Sequence, residues 1–256
     1  MTDAMAALRF DNRTVLVTGG AGGFGSQTAR TFGARGANVI VADLNLERAT
    51  EVAAGIPSAI ALEMDVTAPE SIIEGVQAAV AAFGSLDVLV NNAGAPTRSA
   101  PIEQNTVEDM DWLYQINYRS AVIASQAALP HLRASDIGNI VNVASISAKR
   151  PRPGNALYCS LKAGVEALTR ALAVELAPSV RVNSVSPVIS ETGFVKSATG
   201  QDTLSDEART AMVAGIPMGR TAHPQDIANA ILYLASDLAL FQTGVCLDVD
   251  GGRSIS

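Results

Sequence analysis

The sequence predicts an α/β fold: a doubly wound parallel sheet of about seven strands with helices on both faces. Three observations predict it. Short runs rich in β-branched and apolar residues recur through the 256-residue chain, and longer segments with helical spacing separate them. Those short runs are nearly continuous in apolar residues, as expected of strands covered on both faces. The first of them, residues 14–18, breaks directly into a turn with glycines at 19, 20, 22, 23 and 25, and a helical pattern follows.

The elements can be justified in order. Residues 14–18 form the first strand and 26–34 the first helix, with Gly36 as its C-cap. A second strand, 38–43, ends in Asp43, and a further segment starts near Leu46. Residues 59–64 give a third strand that runs into Asp65 and Val66, and a helix covers 69–83. The fourth strand, 87–90, leads into Asn91-Asn92-Ala93-Gly94. The spacing then predicts one long amphipathic helix over 107–129, ended or bent by Pro130. A fifth strand at 138–144, a helix at 158–177 and a sixth strand at 180–186 follow. A helix at 224–236 opens on Pro224, an acceptable early position, and residues 244–249 give the closing strand. There is no linker, repeat or low-complexity tract, so a single dinucleotide-binding and catalytic domain over 1–256 is expected. The long irregular stretch 187–217 follows a strand end where ligands bind in open α/β sheets, and it reads as a substrate lid.

Strand, glycine turn, helix, and a second strand ending in an acid make a Rossmann-type dinucleotide fingerprint. Glycines let the backbone turn sharply and approach a pyrophosphate without side chains in the way. The following helix offers unpaired N–H groups and a partial positive charge to that phosphate. The candidates in the turn are Gly19, Gly23, Phe24 and Gly25, and those at the second strand end are Asp43 and Leu44. The Asp43 carboxylate can accept from both adenosine ribose hydroxyls and repels a 2′-phosphate, with no Arg or Lys nearby before Arg48. The cofactor expected is therefore NAD (NADH) over NADP. The plainer alternative makes Asp43 an N-cap for the segment near Leu46.

Bulk composition narrows the class. Hydrophobic content of 48% with 17% charged residues fits a soluble globular chain, and a net charge of −7 argues against a nucleic-acid partner. No apolar run approaches the ~18 residues of a membrane helix, and the first ten residues do not read as a secretory signal. Two cysteines, Cys159 and Cys246, fit a reducing, cytoplasmic setting without a disulfide framework. With only two histidines and no ligand spacing, no metal site is expected.

The chemistry centres on Tyr158 and Lys162, one helical turn apart on one face. A free phenol has a pKa of roughly 10, about three units too high for a base near pH 7. A close ammonium in a water-poor site can supply the roughly 4 kcal/mol needed to favour the phenolate. Taken alone, the pair also reads as a half-buried aromatic beside a lysine that reaches solvent.

These residues, taken together, resemble the short-chain dehydrogenase/reductase family in its short single-domain branch. The resemblance runs from Thr14 to Gly252. It rests on Thr18-Gly19 with Gly23 and Gly25, on Asn91-Asn92-Ala93-Gly94, on Asn117, Ser145, Tyr158 and Lys162 in order, and on Asp248-Val249-Asp250-Gly251-Gly252. It implies an oxidoreductase that interconverts a secondary alcohol and a ketone by hydride transfer. Ser145 would donate to the substrate oxygen, and Tyr158 would exchange the proton. Lys162 would hold the nicotinamide ribose and lower the phenol's pKa, and Asn117 would anchor a water relay. Ser147 is the alternative to Ser145. The resemblance adds Asp65 and Val66 at the adenine edge, Asn91, Ala93 and Gly94 along the cofactor, and Pro187, Ser190 and Thr192 at the carboxamide. A cap remains the alternative for Asp65.

The chain departs from the family pattern at Val188, where Gly is usual, and at Ser190, where Val or Ile is usual. A β-branched residue cannot take the positive φ open to Gly, so an altered chain path and a narrower pocket are expected at Val188. The substrate candidates are Ala95, Pro96, Ser147 and Val188, with Arg98 and Arg152 at the rim. Their composition suits an uncharged or weakly polar secondary alcohol or ketone and leaves a carboxylate-bearing one open. Small residues at Ala163, Ala167 and Ala171 and the family's habit point to a homotetramer, or failing that a homodimer. The rival readings are a catalytically idle dinucleotide-binding regulator or scaffold and an epimerase or dehydratase of the extended branch.

Overall fold

The structure is a computed structural model that describes residues 5–190, 207, 210 and 213–256. Seven strands form one parallel sheet: β1 (Thr14–Thr18), β2 (Asn38–Asp43), β3 (Ala59–Glu63), β4 (Val88–Asn91), β5 (Asn139–Val143), β6 (Arg181–Pro187) and β7 (Cys246–Val249). Their order is β3-β2-β1-β4-β5-β6-β7. Every neighbouring pair is parallel, with Leu16 opposite both Ile40 and Leu89. The order reverses between β1 and β4, which opens a crevice at their carboxyl ends, the usual ligand position in such sheets.

The helices are α1 (Gly23–Gly33), α2 (Leu46–Ala54), α3 (Pro69–Phe83), α4 (Val107–Tyr114), α5 (Ser120–Ala134), α6 (Ala156–Leu176) and α7 (Pro224–Ala235). Side chains alternate across a strand, so each strand feeds two cores. Val15, Val17, Val39, Val41, Val88 and Val90 pack with Phe32 of α1, Val52 of α2 and Ile231 of α7. Leu16, Ile40, Leu89 and Ile140 point the other way and pack with Ile72 of α3, Leu132 of α5 and Leu176 of α6. The all-apolar strands are thus two half-faces read in one line of sequence. Phe10 closes the first core edge-on against Phe32, with ring centroids 4.8 Å apart.

Element ends follow local chemistry. Asn45, not Asp43, caps α2, its side chain accepting from Arg48 N. Thr106 and Asp109 form a reciprocal capping box at α4. Pro69 and Pro224 open α3 and α7, where a missing N–H is harmless. Two expectations need correction. Helix α1 starts at Gly23, because the last glycines of the turn join its first turn. The long helix expected over 107–129 is broken by a π turn at Gln115–Arg119, and Pro130 lies inside α5, which runs on to Ala134. The π turn inserts a residue into the helical ladder and changes which side chains face the sheet.

A buried polar chain joins the layers. Asn91 Nδ2 donates to Asn142 Oδ1 at 2.9 Å, and Asn142 Nδ2 donates to Thr169 Oγ1 at 2.9 Å. These bonds tie β4 to β5 and β5 to α6. Asn142→Ala removes both of these buried bonds and opens a small cavity, and is expected to cost about 2–4 kcal/mol in urea unfolding. Combining it with Asn91→Ala should cost less than the two single losses added, because the pair shares one bond.

Candidate active site

Four side chains converge at the carboxyl ends of β4 and β5. Ser145 follows β5 by two residues, is buried, and accepts from Ser147 N at 3.1 Å. It caps a single 3₁₀ turn, Ile146–Ala148, that carries the chain away from the sheet. Ser147 is buried too, and its backbone N–H is the one that Ser145 Oγ accepts from. Tyr158 and Lys162 sit in the first two turns of α6, which begins two residues before Tyr158. Tyr158 lies close enough to Ser145 for the serine to favour its ionised form. Lys162 is buried, and its Nζ donates to Val143 O at 2.9 Å and stands 5.8 Å from the Tyr158 ring centroid.

Asn117 occupies the middle of the π turn and is 2% exposed. Its Oδ1 accepts from Ala95 N at 3.2 Å, while its Nδ2 donates to Ala95 O at 3.0 Å and Leu113 O at 3.2 Å. In the structure, then, Asn117 braces the segment leaving β4. Gly94 lies beneath: a Cβ there would stand 3.1 Å from Asn117 Oδ1 and 3.4 Å from Lys162 Nζ. A side chain at Gly94 would crowd Asn117 Oδ1, so glycine suits the close pass of this backbone.

Burial governs the acidity of both ionisable groups. Burial pushes the Tyr158 hydroxyl up to about 12, while Ser145 and the Arg152 charge pull the other way. Burial also pushes the Lys162 ammonium down to about 8. Burial is the largest influence on both groups, and the Lys162 ammonium is turned to the Val143 carbonyl.

The glycine turn fits a dinucleotide. Gly19 has φ +62°, and a Cβ on Gly25 would lie 2.1 Å from Gly19 O, so α1 abuts the end of β1. A Cβ on Gly22 would meet nothing within 4 Å, which places that residue on the open side. Helix α1 has no side-chain cap and no acid in its first turn, so its N–H groups suit a pyrophosphate. Phe24 is half-buried in the turn. Asp43 closes β2 beside this turn, accepting from Ala21 N and Asn45 N at 3.0 Å each, and Leu44 next to it is exposed. Ser190 Oγ is buried with no hydrogen-bond partner among the described residues, a polar atom suited to a carboxamide.

Other sequence candidates are placed as follows. Asp65 Oδ1 accepts from Thr67 N and Oγ1 in a local turn and does not cap α3, whose N-cap is Ala68, and Val66 packs on the second core. Asn91 has its side chain in the core network described above, while Ala93 stays at the crevice, its N–H donating to Thr18 Oγ1. Ala95 and Pro96 follow Gly94 and are partly buried. Pro187 ends β6. Thr192 and most of the expected lid, 191–206, 208–209 and 211–212, lie outside the described residues. Val188 is buried on the first core and donates its N–H to Val249 O at 3.3 Å. Asn12 is the only non-glycine residue with positive φ among the described residues, so Val188 avoids the conformation open to glycine and extends the pairing of β6 with β7.

Sequence reasoning missed three supports. Asn92 Nδ2 donates to Thr18 O at 2.9 Å and Gly19 O at 3.0 Å, and Thr18 Oγ1 accepts from Asn92 N and Ala93 N, stitching β1 to β4 across the crevice. Lys149, just past the Ser145 turn, pairs with Asp248 at 2.5 Å and Glu166 at 3.6 Å. Glu166 is buried and accepts from Ser186 Oγ at 2.7 Å. Its position four residues after Lys162, on the same face of α6, was the available signal. A cavity of about 330 Å³ between α3 and α5 shares no residue with this site.

A family model described as enoyl-(acyl carrier protein) reductase matches residues 19–254. The chain is 42% identical over 254 residues to 4-formylbenzenesulfonate dehydrogenase TsaC1/TsaC2 of Comamonas testosteroni, covering 97% of this chain and 100% of that one. It is 39% identical over 248 residues to cis-4-hydroxycyclohexanecarboxylate dehydrogenase of Sinomonas cyclohexanicum, covering 95% and 97%. Among solved structures, 3-ketoacyl-(acyl-carrier-protein) reductase from Brucella melitensis complexed with NADH superposes with a TM-score of 0.90 at 36% identity, covering 96% and 100%.

Burying both ionisable groups predicts a pH signature. Between about pH 8 and 10.5 the unfolded chain keeps a lysine proton that native Lys162 has released, so stability rises with pH there. Above pH 10 the unfolded chain loses a phenol proton that native Tyr158 keeps to about 12, so its contribution falls. In urea unfolding at stepped pH, Lys162→Met should flatten the rise, and Tyr158→Phe should remove the fall.

Proposed function

The chain belongs to the short-chain dehydrogenase/reductase family, and we propose that within it the protein is an NAD(H)-dependent oxidoreductase interconverting a secondary alcohol and a ketone. The observation that carries this reading is Ser145 and Tyr158 set side by side, with buried Lys162 one helical turn on, at the carboxyl end of β5. NAD, when bound, accepts or supplies the hydride. Gly19, Gly23, Phe24, Gly25, Asp43, Leu44, Asp65, Val66, Asn91, Ala93, Gly94, Pro187, Ser190 and Thr192 are the residues we assign to hold it. Lys162 keeps donors beyond the one given to Val143 O and offers them to the nicotinamide ribose.

The chain's own residues handle the substrate and the proton. Ser145 donates to the substrate oxygen and orients it. Tyr158, with its proton held firmly, is the acid in ketone reduction and, once deprotonated, the base in alcohol oxidation. Asn117 keeps Ala95 and Gly94 in place under the reacting groups. Asp43 beside the glycine turn supports NAD over NADP, because its charge opposes a 2′-phosphate. The structural relative crystallised with NADH supports the same choice. The names of both sequence relatives describe ring compounds, which supports a ring-bearing alcohol or ketone as substrate.

Assembly as a homotetramer is part of the proposal. Ala167, Ala171 and Val174 are exposed along α6, and Val107, Met110, Trp112 and Tyr114 along α4, so these faces are not used against the chain's own sheet. We place the enzyme in the cytoplasm, where two free cysteines stay reduced.

Following NADH absorbance with a panel of ring alcohols and ketones tests the reaction. Tyr158→Phe should lower kcat by about 10²–10⁴-fold with the fold intact; turnover equal to wild type sinks the assignment. In the same assay, Asp43→Ala should narrow the preference for NAD over NADP by about tenfold or more.

A further inference from the structure

We propose that the substrate carries an anionic group, a carboxylate or a sulfonate, and that Arg152 reads it; where the substrate sits rests on the oxidoreductase reading above. Arg152 stands between Pro151 and Pro153. A proline fixes its own φ and confines the residue before it to extended backbone, so the main chain at Arg152 is stiffened from both sides. Asn155 N donates to Arg152 O at 3.2 Å, closing a four-residue turn with Pro153 second and Gly154 third at φ +78°. That is the type II pattern. Gly154 O in turn accepts from Ala100 N at 3.0 Å, and a Cβ on Gly154 would meet Ser99 Oγ at 2.4 Å. The turn is locked to the segment leaving β4 and runs directly into α6. Its guanidinium is therefore mounted on rigid backbone six residues before Tyr158.

The charge is also uncommitted. Arg152 is exposed and makes no ion pair among the described residues. Neighbouring cations are spent: Lys149 on Asp248, Arg150 on the carbonyls of Arg253 and Ser256, and Arg253 on Gly215 O. The positive charge of Arg152 is felt at the Tyr158 hydroxyl, although burial is the larger influence there. Arg98 is the other exposed arginine of this rim, two residues before Ala100. It lines a cleft of about 210 Å³ with Pro96, Asn105, Trp112 and Leu113. Leu113 O accepts from Asn117, so the cleft and the site share a wall. Asp109 lines the same cleft and opposes an anion at Arg98, which is why the anion is assigned to Arg152. A guanidinium matches a carboxylate or sulfonate with two parallel N–H donors, and a fixed mount reduces the ordering cost of using it.

Two ring ketones alike but for one charge test this: 4-acetylbenzoate and its methyl ester, each reduced with NADH. Wild type should favour the acid in kcat/KM by about tenfold or more, and the advantage should shrink as salt rises. Arg152→Gln should bring the acid down towards the ester, chiefly through KM, and Arg152→Lys should restore part of the difference. Equal use of acid and ester by wild type, or an advantage that survives Arg152→Gln, overturns the inference while leaving the oxidoreductase reading intact. Calorimetric binding of the acid in the presence of NAD⁺ separates the two ideas. Binding by wild type that Arg152→Gln abolishes supports the arginine even if neither ketone reacts. Absence of any binding, with neither ketone reacting, overturns it.

Discussion

The site depends on keeping one ammonium out of water. Burying the Lys162 charge is costly, and the hydrogen bond to Val143 O at 2.9 Å offsets part of that cost. This bond sets the height of α6 on the sheet. Val143 ends β5, and Ser145 follows two residues later, so one strand end both anchors Lys162 and delivers the serine. Tyr158 lies one helical turn before Lys162 and meets Ser145 as a consequence of that register. Beneath it, the Asn91–Asn142–Thr169 chain ties β4, β5 and α6 together, and Lys149 with Glu166 holds the serine turn to α6.

A second seam makes the cofactor end. The sheet reverses its order between β1 and β4, and Thr18 and Asn92 close that gap with backbone and side-chain bonds. The glycine turn after β1 and the Gly94 segment after β4 therefore open on the same crevice. Asp43, one strand further out, reaches the turn through Ala21 N. The Ser145–Tyr158–Lys162 group and the glycine turn lie at the same edge, because parallel strands bring all their carboxyl ends together.

Much of this was legible in the chain. The strands were readable from their apolar runs, and the turn from its glycines. The Tyr158–Lys162 face followed from helical spacing. The failures have particular causes. A π turn leaves no mark in periodicity long enough to be seen, so the break at Gln115–Arg119 stayed hidden although Asn117 itself was identified. At Val188 the sequence excluded a positive φ, and only the fold shows that its N–H joins the β6–β7 ladder and its side chain fills core space. Asn91 and Asn92 look alike in sequence, and only the strand's alternation sends one into the core and the other across the crevice.

What the sequence by itself determined was the set of elements, the parallel sheet and the residue types at the reacting end, because these depend on local propensity and period. What only the tertiary structure decided was the electrostatic state of the Tyr158–Lys162 pair. A four-residue spacing puts the phenol and the ammonium on one face but says nothing of where the ammonium points or how much water each retains. In the folded protein the ammonium turns to Val143, and burial governs both groups, holding the phenol at about 12 and the lysine at about 8. Desolvation is a property of the whole packed surroundings, and no stretch of chain carries it alone.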